Sequence, residues 1–307
     1  MNPAWSVVLL TTLIGAGQGL FLTLYAIEAA SAMGALAPPG NGYFAAGSLL
    51  AVAIMGAGLV ASFFHLGRPE RAWRSAAMWR TSWLSREVIA LPLALALVAA
   101  YGSMHHAGAA RAPTLWAGAA GVAACVALFV CTGMIYACVK FLEEWASALT
   151  VLNFTLLGCA SGATLATAWS AAAAPEAAVP VAAWAAIATA LGWATRAAAL
   201  ARNRRLRHKS SLQSAIGIKH PRIEQKAQGA MGGSFNTREF FHGRPRGVLR
   251  AVKTGFLVAA FAAPLALIAA GWFLAAFFVQ FAGLLAERWY FLADARHPQN
   301  LYYQAIS

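Results

Sequence analysis

Residues 5–27 read WSVVLLTTLIGAGQGLFLTLYAI, and residues 43–64 read YFAAGSLLAVAIMGAGLVASFF. Neither run holds a Lys, Arg, His, Asp or Glu. A helix rises about 1.5 Å per residue, so about 20 apolar residues cross the roughly 30 Å hydrocarbon layer of a bilayer. Each run therefore reads as a membrane span. The first is not a secretory leader by this reading. Met1 to Trp5 carries no Lys or Arg, and the apolar run of 23 residues exceeds the core of a leader, about 7–15 residues. Ala35-Leu36-Ala37 only superficially resembles a cleavage site.

Similar runs follow at about Leu84–Met104, at Pro113–Val139, within Trp145–Ala174 and at about Ala177–Thr195. The stretch Arg250–Ala293 has 44 residues and would extend about 66 Å as one helix, twice the hydrocarbon thickness. Two spans with a turn near Ala269–Trp272 fit better, and Gly271 supplies a permissive turn residue. One span there, seven in all, is the alternative. Only 11% of the 307 residues are charged, against about 25% in soluble domains, so lipid must cover much of the surface. The chain is predicted to be an all-α integral membrane protein with about eight transmembrane helices. It forms a single membrane-anchor domain over residues 1–307.

The loops carry a marked asymmetry of Lys and Arg. With eight spans, the face bearing both termini holds Arg68, Arg71, Arg74, Arg80, Arg86, Lys140, Arg288 and Arg296, while the opposite loops hold little beyond Arg111. Arg196 is placed at the end of the sixth span. Positive charge marks the cytoplasmic side, which puts both termini there. Residues 202–253 form one long basic cytoplasmic loop with 13 Lys/Arg and 2 acidic residues, a net +11 out of the chain's +13. Loops of this length are usually functional or disordered. Glycines and aromatics among the charges favour an ordered surface that docks a partner. A lipid-facing or partner-facing role is preferred to nucleic-acid binding for a basic patch beside a membrane.

Ionisable residues at the membrane edge gather at one place. The second span runs into His65-Leu66-Gly67-Arg68, and the third opens Ser82-Trp83-Leu84-Ser85-Arg86-Glu87. His65, Arg68, Arg86 and Glu87 are expected to meet there. Such groups are costly near hydrocarbon unless paired, which makes them functional candidates. The bland alternative is an Arg–Glu pair that anchors a helix start. Trp73, Trp79 and Trp83 stand among Arg71, Arg74 and Arg80, either as an interfacial aromatic belt or as part of a docking face. Tyr136 is either a belt tyrosine or a hydrogen-bond donor to a ligand.

No set of residues points to a resident metal. Cys125, Cys131, Cys138 and Cys159 form no CxxC pair and read as small buried hydrophobes. A bis-histidine haem needs two facing ligands within the membrane. Only His65 adjoins a span on the terminal side; His105 and His106 lie at the opposite end of the third span, and His208, His220, His242 and His297 lie in the long loop or the tail. No haem is expected. A secondary transporter is the more distant alternative, but the polar residues foreseen at mid-membrane are few, mainly Gln18, Asn153 and Gln280.

The run HLGRPERAWRSAAMWRTSWLSRE at residues 65–87 resembles the signature of DmsC-type membrane anchors of dimethyl sulfoxide reductase-like molybdenum enzymes. So do TGMIYACVKFLEEW at 132–145 and SFNTREFFHG at 234–243, the last being most similar to anchors of cytoplasm-facing sulfite dehydrogenases. The resemblance extends over nearly the whole chain. It implies an anchor in the bacterial inner membrane, holding a ferredoxin-like iron–sulfur subunit and a molybdopterin catalytic subunit. Those cofactors belong to the partners. It also implies a quinone site, for ubiquinone or menaquinone, that exchanges electrons with the nearest cluster. The favoured reaction is sulfite oxidation with quinone reduction; the alternative is a dimethyl sulfoxide or related reductase that oxidises menaquinol. His65 and Glu87 match signature positions associated with quinol binding, with Arg86, Arg68 and Tyr136 beside them. Docking is assigned to Arg71, Arg74, Arg80, Lys219, His220, Arg222, Phe235, Asn236, Arg238, Phe240, Phe241 and His242.

The charge asymmetry makes a direct prediction. A reporter active only outside the cytoplasmic membrane, fused after Ser307, should give no signal. A strong signal would invert the topology.

Overall fold

The computed structural model describes residues 1–207, 210–224, 226 and 243–301. Among these there are helices and turns but no strands. Eight long helices follow in order: α1 (Trp5–Ala32), α2 (Asn41–Phe63), α3 (Trp83–His106), α4 (Arg111–Ala137), α5 (Ala148–Ala173), α6 (Pro175–Arg204), α7 (Arg246–Ala269) and α8 (Phe273–Ala293). The first seven are long and apolar enough to cross a membrane. The eighth has 21 residues, about 31 Å of helix, and returns along α7. The turn between them sits at Gly271, whose φ of +79° is open to glycine and strained for other residues. The chain is thus an integral membrane protein of about eight helices, with the last stretch split where the length limit required.

Local chemistry sets several helix starts. Ser82 caps α3 by accepting from the Ser85 amide at 3.3 Å, and Ser147 caps α5 by accepting from Leu149 at 3.2 Å. Pro175 opens α6, where its missing N–H is no loss. Within α7 one turn widens to π geometry at Val258–Ala262. Gln280 of α8 donates to the Ala260 carbonyl in that turn at 3.3 Å and to Thr189 of α6 at 3.0 Å, so the three helices are tied at one buried amide.

Helix α5 lies against α1, α4, α6 and α8, and α1 is enclosed by α2, α4, α5 and α8. The closest approach is between α1 and α5. A Cβ on Gly162 would collide with the backbone of Gly19 and Leu20, and one on Gly19 would collide with the Gly158 carbonyl. Small residues allow this because lipid tails supply no hydrophobic drive between helices; close backbone packing does the work instead. Leu20, Phe21, Met55, Val98, Tyr101 and Leu128 fill the adjoining core.

Besides Gln18, Asn153 and Gln280, which were foreseen, the bundle buries two charged clusters toward its ends. Near the face opposite the termini, Glu28 is 5% exposed. It accepts from Tyr101 at 2.8 Å and Thr114 at 2.5 Å, and the His105 Nε2 lies 3.4 Å away. His105 stacks on Phe44 and pairs with Asn41 through Nδ1 at 3.3 Å, so four helices meet at one carboxylate. Toward the terminal face, Glu287 is flanked by Arg196 at 2.7 Å and Arg288 at 3.2 Å, all three buried. Charge position alone puts Arg288 with the loops and Arg196 at a span end. Both instead lie in the bundle, because α6 continues to Arg204 and α8 to Ala293. Cys125 and Cys131 are buried as foreseen, whereas Cys138 is exposed.

The glycine crossing gives a paired prediction. Gly162→Val should cost about 1–3 kcal/mol or block accumulation altogether, because the neighbouring atoms are backbone and cannot yield. Gly56→Val has open space around it and should be near neutral. The check is the fraction of solubilised protein that stays monodisperse after graded heating.

Candidate functional site

The site forms on the terminal face, where α3 begins and α4 ends. After α2 the chain turns through His65 and enters a 3-10 helix, Pro69–Ala76, before α3 begins. Arg86, in the first turn of α3, donates to the carbonyls of Trp79 at 2.9 Å and Arg80 at 2.8 Å, and its guanidinium lies 4.2 Å over the Trp83 ring. It therefore clamps the incoming loop. Its donors are directed to the loop backbone, and among the described residues it does not form the Arg–Glu pair of the bland alternative.

Glu87 follows on the next position, about 100° further round the helix, and faces α4. Its Oε1 accepts from Thr132 at 2.5 Å, and no ion pair engages it among the described residues. Tyr136 sits four residues beyond Thr132, hence one turn along the same face of α4. It packs between Phe154, stacked at 5.2 Å, and the edges of Trp145 and Phe291. Packing on three sides by bundle aromatics removes it from the lipid-facing belt. Trp145 is fixed in turn by donating to the Phe291 carbonyl at 3.0 Å. On the far side of this aromatic group the Arg288 guanidinium lies 3.7 Å over Phe154. A carboxylate, a phenol, a group of packed aromatics and the buried Arg288–Glu287 ion pair thus follow one another at the end of the bundle.

The other foreseen members stand apart. His65 is exposed on the loop, and no hydrogen bond links it to Glu87 among the described residues. Partial desolvation lowers its pKa, so the neutral imidazole is favoured near pH 7. Arg68 is exposed at the start of the 3-10 helix. Three residues that sequence reasoning did not assign here are Thr132, Phe154 and Arg288. Thr132 lies inside the quoted 132–145 run. Arg288 has a readable signal, a charge pair with Glu287 within an otherwise apolar helix.

The expected docking residues divide in two. Arg71 lies 3.9 Å from Glu70, while Arg74 and Arg80 stack on Trp73 and Trp79 at 5.4 and 5.5 Å, all on the exposed loop. Lys219, His220 and Arg222 are exposed beyond a short helix, Leu212–Ile216, with the Arg222 amide donating to His220 Nδ1 at 3.1 Å. Phe235, Asn236, Arg238, Phe240, Phe241 and His242 lie outside the described residues.

Comparison with known proteins gives concordant results. A family model described as the DMSO reductase anchor subunit (DmsC) matches residues 1–219. The chain is 53% identical to a sulfite dehydrogenase subunit of Allochromatium vinosum, over the full length of both proteins. No solved structure matches. With about eight membrane helices and a polar site at their terminal end, the chain belongs to the DmsC family of membrane anchor subunits.

Proposed function

We propose that this chain anchors an iron–sulfur subunit and a molybdopterin catalytic subunit to the bacterial inner membrane and carries the quinone site of the complex. The observation behind this is Glu87: a carboxylate at the membrane end of α3, held by one hydroxyl and by no cation among the described residues. A carboxylate tied into an ion pair would be poorly placed to give up or take up a proton; Glu87 is free to do so.

The residues present fit a quinone ring. When bound, such a ring supplies a two-electron, two-proton carrier soluble in lipid. Tyr136 stacks on Phe154 and Trp145 on Phe291, and the two pairs meet edge to face as a packed apolar floor at this end of the bundle. With a ring seated beside it, the Glu87 carboxyl would exchange a proton with a ring oxygen, and the Tyr136 hydroxyl, one turn along α4 from Thr132, would supply a hydrogen-bond donor. Neutral His65, on the loop above, relays protons to the aqueous side. Electrons come from a cluster in the docked partner. The basic loop and the exposed Arg71, Arg74 and Arg80 face that partner, with the Arg and Lys asymmetry placing them in the cytoplasm.

The likeness to a sulfite dehydrogenase component favours sulfite oxidation to sulfate, with ubiquinone or menaquinone as acceptor. The family description favours a second reading, an anchor of a reductase that takes electrons from menaquinol. The site chemistry serves either direction, since a protonatable carboxylate works both ways.

Two measurements test the proposal. Glu87→Gln keeps shape and hydrogen bonding while removing the titrating proton. Assembly and turnover with an artificial dye should persist, while quinone-coupled turnover should fall by about 100-fold or more. Unchanged quinone-coupled rates would reduce Glu87 to a helix-end residue. Replacing residues 228–243 with a Gly/Ser linker should release the catalytic subunits from membranes, and their full retention would rule out the loop as the dock.

A further inference from the structure

The start of α7 carries Arg246, Arg250 and Lys253, spaced four and three apart and therefore on one helical face. That face looks across a furrow toward Arg296, just past α8, and Arg204, in the last turn of α6. The furrow consists of two adjoining cavities of about 610 and 380 Å³, which share Lys253, Tyr290, Asp294 and Arg296 as walls. None of Arg204, Arg246, Arg250, Lys253 and Arg296 is in an ion pair among the described residues. Asp294 is the one carboxylate on the shared wall, and Glu144 lines the smaller cavity alone. With Arg244, six Lys or Arg side chains line the two cavities against two carboxylates, an excess of positive charge, and like charges converging on one cleft repel each other unless an anion joins them.

Depth identifies the anion. Arg246 to Lys253 occupy the first two turns of a membrane-spanning helix, and the buried Phe256 follows one turn below. That is the level of lipid headgroups, where phosphate is the abundant anion and basic pockets between helix ends hold anionic lipids. Guanidinium groups grip phosphate through paired N–H donors, and an ammonium adds a point charge. Leu249 and Leu200 line the same cavities, so an apolar wall runs beside the cations, as a glycerol backbone and its chains require. Carboxylates of a docked protein would meet the rim of this furrow before its floor.

We propose that the furrow between the ends of α6, α7 and α8 is a binding site for the phosphate of an anionic glycerophospholipid. It is separate from the Glu87 site and stands whether or not that site handles quinone. A lipid held there ties the last helix pair to α6.

The test uses the full-length protein in uncharged detergent, with phosphatidylglycerol or phosphatidylcholine titrated in mixed micelles. Binding is read by native mass spectrometry and by the thermal unfolding midpoint. Phosphatidylglycerol should bind and raise the midpoint, and phosphatidylcholine should not. Arg250→Gln with Lys253→Gln should weaken phosphatidylglycerol binding roughly 10- to 30-fold, whereas Arg74→Gln, outside the furrow, should leave it unchanged. Should the double variant fail to accumulate, Lys253→Gln alone, with a salt titration of the unaltered protein, carries the same test. Equal binding of both lipids, or unchanged affinity in the furrow variants, would overturn the proposal. So would an equal midpoint shift from millimolar inorganic phosphate, or displacement of the lipid when the partner subunits bind.

Discussion

Hydrocarbon offers no hydrogen bonds, so every peptide group and every charge inside this bundle must be satisfied by the bundle itself. The helices answer for the backbone. At the π turn in α7, where the ladder is disturbed, Gln280 reaches the Ala260 carbonyl from the neighbouring helix. The same constraint explains how α1 and α5 meet. With no hydrophobic drive between helices in lipid, association depends on close contact. The glycines at 15, 19, 158 and 162 let the two backbones approach where any larger residue would hold them apart.

Charge is confined by the same rule to the two ends of the bundle. Near one end Glu28 is compensated by two hydroxyls and His105. Near the other, Glu287 is held between Arg196 and Arg288. The stretch of α3 between the ends presents Leu91, Ala94 and Val98 to the core. Breaking either cluster by removing one partner would leave a buried charge uncompensated, which is costlier than never having placed it there. Glu87 differs from both. It has a single hydroxyl partner among the described residues, Thr132 of α4, and sits near the terminal end of the bundle. That difference is the ground for the proton-exchange role proposed for Glu87.

The terminal face is layered. The aromatic group around Tyr136 lies innermost, the loop held by Arg86 covers the α3 side, and the basic furrow opens between the ends of α6, α7 and α8. Arg86 ties the loop that carries the exposed Arg71, Arg74 and Arg80 to the start of α3, one residue from Glu87.

The sequence by itself determined the membrane class, a span count of seven or eight with Gly271 as the turn that makes it eight, and the place where Glu87 enters the membrane. These follow from run length, charge position and one glycine, all local along the chain. It also carried the family resemblance. Only the tertiary structure decided which groups meet. Arg86 and Glu87 are neighbours in sequence but point about 100° apart on the helix, so one binds the loop and the other faces Thr132. Tyr136 joined the bundle interior because residues as distant as Phe291 surround it. Arg196 reads as a lone charge at the end of a span, and its partner Glu287 lies on another helix, 91 positions on (287 − 196). Helix packing brings such pairs together, and no spacing along a single chain records it.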